Sequence, residues 1–218
     1  MSGILQSALM NMRSFRPPPP TVIGEEFEGG YYGGQISTTA DGVATHYLIV
    51  SPAATGQTTA QEKTVRTDTP GTSSLIDGPT NSSNADTSDH PAAQFCEALT
   101  IGGYTDWYMP AQMELGVLYY YLKPGTQNNS ASQGSNAYAV SPQPISTNYT
   151  TSSPPQTSVI SFRTGGAEAF SVTKISWSSS QNSATDQHYA NFVNGELGGG
   201  GTKTDSNNVR AIRRVAVY

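Results

Sequence analysis

Two tryptophans, each set in a short and distinctive segment, constrain this chain more than any other feature. Trp107 stands within Tyr104–Pro110 (Tyr-Thr-Asp-Trp-Tyr-Met-Pro) and Trp177 within Ser176–Gln181 (Ser-Trp-Ser-Ser-Ser-Gln). Both precede a closing run, Val209–Val215 (Val-Arg-Ala-Ile-Arg-Arg-Val). A tryptophan is a large apolar group with one N–H, suited to a seam where helices meet sheet. Both are therefore expected as structural anchors in preference to stacking platforms for sugar. Asp106 is expected to accept from nearby backbone N–H groups or from an arginine such as Arg210.

A chain of 218 residues can form one large domain or a domain with appendages. It can bury roughly 70% of its unfolded surface, so no staple is required. Charged residues make up 12% of it, against roughly 25% in an ordinary soluble domain. Ser, Thr, Asn, Gln and Gly fill the gap, as in assembled fibres and virion parts, and equally in long-looped secreted domains. The net charge is -5 with no block of lysine or arginine, which excludes the basic stripe of a nucleic-acid binder. Cys96 is the only cysteine, so no intrachain disulfide forms. His46, His90 and His188 share no metal-ligand spacing, and no metal or cofactor is expected. No apolar run approaches the ~20 residues of a membrane span. Met1–Phe15 has neither a basic start nor a cleavage site, so it is not read as a secretory signal. Synthesis in a cytosol followed by building into a particle fits these features.

Ile4, Leu5, Ala8, Leu9 and Met12 fall on one stripe of a short helix. Pro17–Pro20 then impose a stiff polyproline spacer. Residues 1–20 are thus expected as an anchor helix and linker, and 21–218 as the globular body. Glu25–Val50 reads as β structure, with Tyr47–Val50 a short buried run. Ala53–Asp89 is polar and nearly aperiodic, an expected surface excursion. Ser88 or Asp89 caps an expected helix with Pro91 in its first turn and Phe95, Ala98 and Leu99 on one face, ended by Gly102-Gly103. A second helix follows Pro110, with Met113, Val117, Leu118 and Tyr121 as its stripe and Lys123-Pro124-Gly125 as its stop. Thr126–Thr157, with four prolines between Pro142 and Pro155, is expected to hold no regular element. Phe170–Trp177, Tyr189–Val193 and Val209–Val217 read as strands, separated in part by Gly198–Gly201. No fixed-period repeat is visible, which argues against a solenoid or propeller.

Gly102-Gly103-Tyr104-Thr105-Asp106-Trp107 followed by Met109-Pro110 and a helix resembles the Gly-x-x-Asp-Trp-x-x-Pro entry of the C-type-lectin-like C-terminal domain, Lcl type, found in bacteriophage tail-fibre and virion proteins. Gly165–Phe170, Trp177–Ser180, Phe192, Gly195 and the Val209-Arg210 strand follow in that family's order, so the resemblance covers about Gly24 to Val215. It implies an α+β fold of two helices on twisted antiparallel sheets with long polar loops. Asp106, Trp107, Pro110, Trp177, Arg210 and Arg213 are its structural signature. Calcium-dependent sugar binders of this fold carry Glu-Pro-Asn or Gln-Pro-Asp in a long loop and Trp-Asn-Asp on the next strand. Here Gln143-Pro144-Ile145 and Trp177-Ser178-Ser179 stand instead, and the carboxylates are missing. The formylglycine-generating enzymes of the broad fold need paired cysteines. Cys96 alone, beside Phe95, reads as a buried inert thiol.

The expected function is that of a phage virion component, in a tail fibre or baseplate, which presents polar loops to a host-surface glycan or protein. Tyrosine-rich loops suit recognition, since tyrosine gives large amphipathic contact at low entropic cost. The expected contact residues are Tyr138, Asn148 and Tyr149, joined by Gln181 and His188. The alternative is a structural or decoration protein that cements the particle through its loops and N-terminal arm. Attachment to other virion proteins through that arm, and a homotrimer, are what the resemblance implies. No catalytic residue is expected.

Overall fold

The computed structural model describes residues 17–218; the expected anchor stripe from Ile4 to Met12 lies outside them. The fold is α+β. In chain order the first elements are β1 (Glu26–Phe27), β2 (Gly30–Ile36), β3 (His46–Val50), α1 (Ala53–Gly56) and β4 (Gln57–Gln61). Three helices follow: α2 (Gly78–Asn84), α3 (Pro91–Glu97) and α4 (Gln112–Leu122). Then come β5 (Ser176–Gln181), β6 (Asp186–Asn191), β7 (Glu196–Thr202), β8 (Ser206–Arg210) and β9 (Ile212–Ala216). One sheet has the order β1-β2-β3-β9 and the other β4-β8-β5-β6-β7. All pairings are antiparallel except β5 with β8, which meet in parallel at Ser176 and Asn208.

The closing run is not one strand. It divides at Ala211, with β8 in one sheet and β9 in the other. Ala211 is fully buried, and its backbone leaves both ladders. Its N–H donates to the Gly56 carbonyl at 2.9 Å, and its carbonyl accepts from the Ser51 N–H at 3.1 Å and hydroxyl at 2.7 Å. The crossing lets successive arginines reach different layers of the molecule. The expected excursion over Ala53–Asp89 is likewise corrected, because it contains β4, an edge strand on β8. Gln57–Gln61 shows no apolar alternation, since backbone pairing rather than side-chain burial holds it.

Gly198–Gly201, expected as a separator, lies inside β7. A Cβ on Gly198 would stand 2.1 Å from the Tyr189 ring, and one on Gly201 would stand 2.2 Å from that of Trp177. The glycines leave room on β7 for the Tyr189 ring of its neighbour β6 and for the Trp177 ring of β5 beyond it. The strand expected over Phe170–Trp177 begins only at Ser176. Phe170 instead stacks on Phe192, ring centroids 4.0 Å apart.

Pro91 opens α3 as expected, though His90 holds the cap position and the helix ends at Glu97, before Gly102. Its buried face is Ala92, Ala93 and Cys96 rather than Phe95, Ala98 and Leu99. Burial pushes the Cys96 thiol well above its ordinary pKa, which leaves it inert. Helix α4 packs against β2 on one side and β5–β6 on the other. Leu115, Tyr119 and Leu122 are therefore buried along with Val117 and Leu118, while Met113 and Tyr121 are only partly so.

Strand β3 alternates between two apolar clusters. Leu48 and Val50 face Leu115, Leu118, Phe162 and Phe192. Tyr47 and Ile49 face Cys96, Val209 and Val215, and Trp107 and Trp177 both belong to this second cluster, 0% and 1% exposed.

Candidate functional site

The chain's scarce cations point inward. Arg210 donates from Nε to the Ser51 carbonyl at 2.7 Å, from Nη1 to Gln57 at 2.9 Å and from Nη2 to Glu168 at 2.6 Å. Asp106 pairs with a different arginine from the one expected. Arg213 grips it bidentately at 2.7 and 2.9 Å, reaches the Glu28 carbonyl at 3.0 Å, and lies over the Tyr104 ring. Arg210 is on the far side of the Ala211 crossing and serves Glu168 instead. Arg214 donates from Nε to Glu114 at 2.7 Å and from Nη2 to the Ile76 carbonyl. Pro110 is buried, and its carbonyl accepts from the Ser179 N–H at 2.8 Å.

The serines after Trp177 form a bulge in β5 that ties three segments together. Ser178 donates to the His188 carbonyl at 2.8 Å, and Ser180 to that of Ser74 at 2.8 Å. The Gln112 N–H, at the start of α4, donates to Ser180 at 3.1 Å.

Long loops are pinned by buried ammonium groups. Lys123, 2% exposed, donates to the Gln127 carbonyl at 2.6 Å, to Asn129 Oδ1 at 2.7 Å and to the Pro154 carbonyl at 3.3 Å. Tyr119 donates to the same Asn129 oxygen at 2.5 Å, and the Asn129 amide donates to the Thr150 and Pro154 carbonyls. The Thr126–Thr157 segment has no helix or strand, as expected, yet it is clamped at both ends. Lys123→Met removes all three bonds and takes from the Gln127 carbonyl its donor, while Asn129 Oδ1 and the Pro154 carbonyl keep Tyr119 and the Asn129 amide. It is expected to cost about 2 kcal/mol. Limited proteolysis by proteinase K should show faster cleavage within 126–157 than in the wild type. An unchanged cleavage rate would refute the clamp.

A second cluster holds the loop after β4. Lys63 reaches the Thr67 and Asp68 carbonyls and the Thr69 hydroxyl, and Lys203 reaches Thr67 and, at 2.5 Å, Gln181 Oε1. His90 bridges the Thr69 and Thr87 hydroxyls at 2.7 and 2.8 Å, and burial pushes its pKa down to about 4. Glu62 is 4% exposed and its Oε2 has no partner. Burial pushes its carboxyl up to about 7, against the pull of Lys203 and Lys63.

Between its unfolded value of 4.5 and about 7, folded Glu62 holds a proton that the unfolded chain has lost. This group therefore lowers stability as pH rises through that window. His90 acts oppositely, removing stability as pH falls from 6.5 toward 4, but it is common to both proteins in a comparison. Glu62→Gln is thus expected to match the wild type near pH 4.5 and to exceed it by about 2–3 kcal/mol at pH 8. Unfolding midpoints across pH check this; a constant difference would contradict it.

The five expected contact residues do not form one surface. Tyr149 is 5% exposed, packed between Tyr119 and Tyr120 and against Gly134. It is a core residue and offers no contact area. Tyr138 is partly buried against the core, with its carbonyl accepting from the Ser37 N–H. Gln181 is tied to Lys203 and to the Thr69 N–H. His188 is half-buried, with Nδ1 3.3 Å from the Gly198 carbonyl, and burial pushes its pKa down. Asn148 is exposed. No hydrogen bond or ring contact joins the five.

Open clefts remain. One of about 530 Å³ is lined by Glu26, Glu28, Tyr31, Pro52 and Ile101. Another, of about 430 Å³, is lined by Thr38, His46, Ile76, Asp77 and Arg214. A third, of about 270 Å³, lies between Tyr120, Tyr121 and Pro154-Pro155. Among the described residues no three His, Cys, Asp or Glu side chains converge as a metal site, and no helix is long and apolar enough to cross a membrane.

No protein-family model matches the chain, and no curated protein is similar to it. Among solved structures it is similar to a fimbrial protein from Bacteroides ovatus ATCC 8483, at 14% identity and a TM-score of 0.49. That match covers 88% of this chain and 46% of the other, so the chain spans about half of that protein's length. Overlap at this level says nothing of function.

Proposed function

We propose that the chain is a virion component of a bacteriophage tail fibre or baseplate, with a C-type-lectin-like body that recognises a host surface. One observation carries the reading: the molecule uses its cations to brace long neutral loops from within. Lys63, Lys123, Lys203, Arg210 and Arg213 are buried and Arg214 nearly so, which leaves Arg66, Arg163 and Lys174 as the exposed basic residues of the described chain. The outer surface is accordingly rich in Ser, Thr and Asn and poor in basic groups, and the charge it carries is mainly acidic, at residues such as Glu26, Asp41, Asp68, Asp86, Asp89 and Asp205. Such a surface can meet a glycan or protein through hydroxyl and amide hydrogen bonds, and its acidic excess disfavours acidic partners. Both tryptophans in one core and the closing strand beside β3 accord with the lectin-like body. Purified protein should attach saturably to cells of the host. Absence of attachment, together with particles that fall apart when the gene is deleted, would favour a cementing role instead.

A further inference from the structure

The cleft of about 430 Å³ lies where β3 and β9 meet the loop into α2. Its hydrogen-bonding capacity is only partly used from within. Arg214 commits Nε to Glu114 and Nη2 to the Ile76 carbonyl, and its guanidinium also interacts with the Tyr108 hydroxyl while lining the cleft. His46 places Nδ1 3.0 Å from the Thr45 hydroxyl, so Nε2 remains for the cleft. Asp77 Oδ1 accepts a long bond of 3.4 Å from the Thr80 N–H, and Oδ2 makes none. The Thr38 hydroxyl, 3.2 Å from that of Thr45, completes the rim, and Ile76 supplies an apolar wall.

Charge decides what suits these groups. Arg214 is answered by Glu114 and faces Asp77, so an anion meets Asp77 and a cation meets Arg214. Burial and Arg214 together push the His46 pKa down, which keeps the ring neutral at pH 7. A ligand whose neighbouring hydroxyls both donate and accept satisfies a guanidinium, a carboxylate, an imidazole and a hydroxyl at once. The C–H face of a sugar ring also matches Ile76.

We propose that this cleft binds a neutral, hydroxyl-rich sugar residue of a surface glycan without calcium. The assignment rests on the host-recognition reading and gives it a ligand class and a place. The test titrates the whole protein, in EDTA, with methyl glycosides of neutral hexoses by ligand-observed NMR. At least one should bind saturably in the millimolar range usual for single sugars. Thr38→Val and His46→Ala should each weaken it about tenfold while the protein stays folded, the melting temperature falling only by what one lost hydrogen bond to Thr45 removes. No saturable binding, tighter binding of a uronic acid or an amino sugar, or binding untouched by both substitutions would overturn it. Host-cell attachment that survives both substitutions would also discard this cleft and leave the recognition role standing. A wild-type protein that fails to attach would remove the role itself.

Discussion

Glu114→Leu is expected to destabilise the fold by about 3–5 kcal/mol. The carboxylate is fully buried. One oxygen accepts from Arg214 Nε at 2.7 Å and from the Tyr108 hydroxyl at 2.5 Å, and the other from the Ala111 N–H at 2.7 Å. Burial pushes the Glu114 carboxyl up, and Arg214, Tyr108 and Ala111 pull it back. Leucine would strand a guanidinium that is 11% exposed, the N–H of Ala111 at the cap of α4 and a tyrosine hydroxyl. The pair itself need not be a net source of stability, because removing two charges from water offsets most of their attraction. Glu114→Leu with Arg214→Met should therefore recover most of the loss. Urea unfolding of both single variants and the double gives the coupling energy. A Glu114→Leu loss below about 1 kcal/mol, or a double variant no better than the sum of its parts, would contradict this account.

The same inward use of charge explains what could and could not be read from the sequence. Pro91, Pro110 and Lys123-Pro124-Gly125 punctuate the chain locally, so α3 and α4 were legible to within a few residues. The anchoring of Trp107 and Trp177 was legible from size alone. Partner choice was not. Asp106 is one residue from Trp107, yet which arginine reaches it depends on the crossing at Ala211, and no local signal marks where one strand changes sheets. Strand β4 escaped notice because it gives no apolar alternation, Ala60 being its one apolar residue. Strand β7 escaped because four glycines read as a loop until Tyr189 and Trp177 are seen to lie on them.

The contact residues fared worst, for a related reason. Tyrosine in a polar loop reads as a surface anchor, but a loop of 32 residues without helix or strand must bury some apolar area of its own to hold a shape. Tyr149 does so. The polar cleft groups were hidden in the opposite way. Thr38 and His46 flank the β2–β3 connection, but Asp77 and Arg214 lie far from them in sequence, and only the pairing of β3 with β9 and the cap of α2 bring the four together. Lys63, Lys123 and Lys203 left one usable trace: in a chain so poor in charge, a lysine beside a long neutral loop has work to do inside.

Trp107→Ala should cost about 3–5 kcal/mol, the range for large-to-small core changes. The indole is 0% exposed. It packs with Ile49, Cys96 and Val215, and a Cβ on Gly30 would come within 3.0 Å of it. The sharper comparison is with phenylalanine. Trp107 Nε1 is buried with no partner, so Trp107→Phe removes an unsatisfied donor along with part of the ring, and the two effects oppose each other. Trp177 Nε1 instead donates to the Ala60 carbonyl at 3.1 Å and lies 3.3 Å from that of Asp205, joining β4 to the start of β8. Trp177→Phe should therefore cost about 1 kcal/mol more than Trp107→Phe, although the two indoles are equally buried. Denaturant midpoints for the two phenylalanine variants settle the order. Equal losses would mean that the unpaired N–H of Trp107 carries no penalty, and that ring volume alone sets the stability of this core.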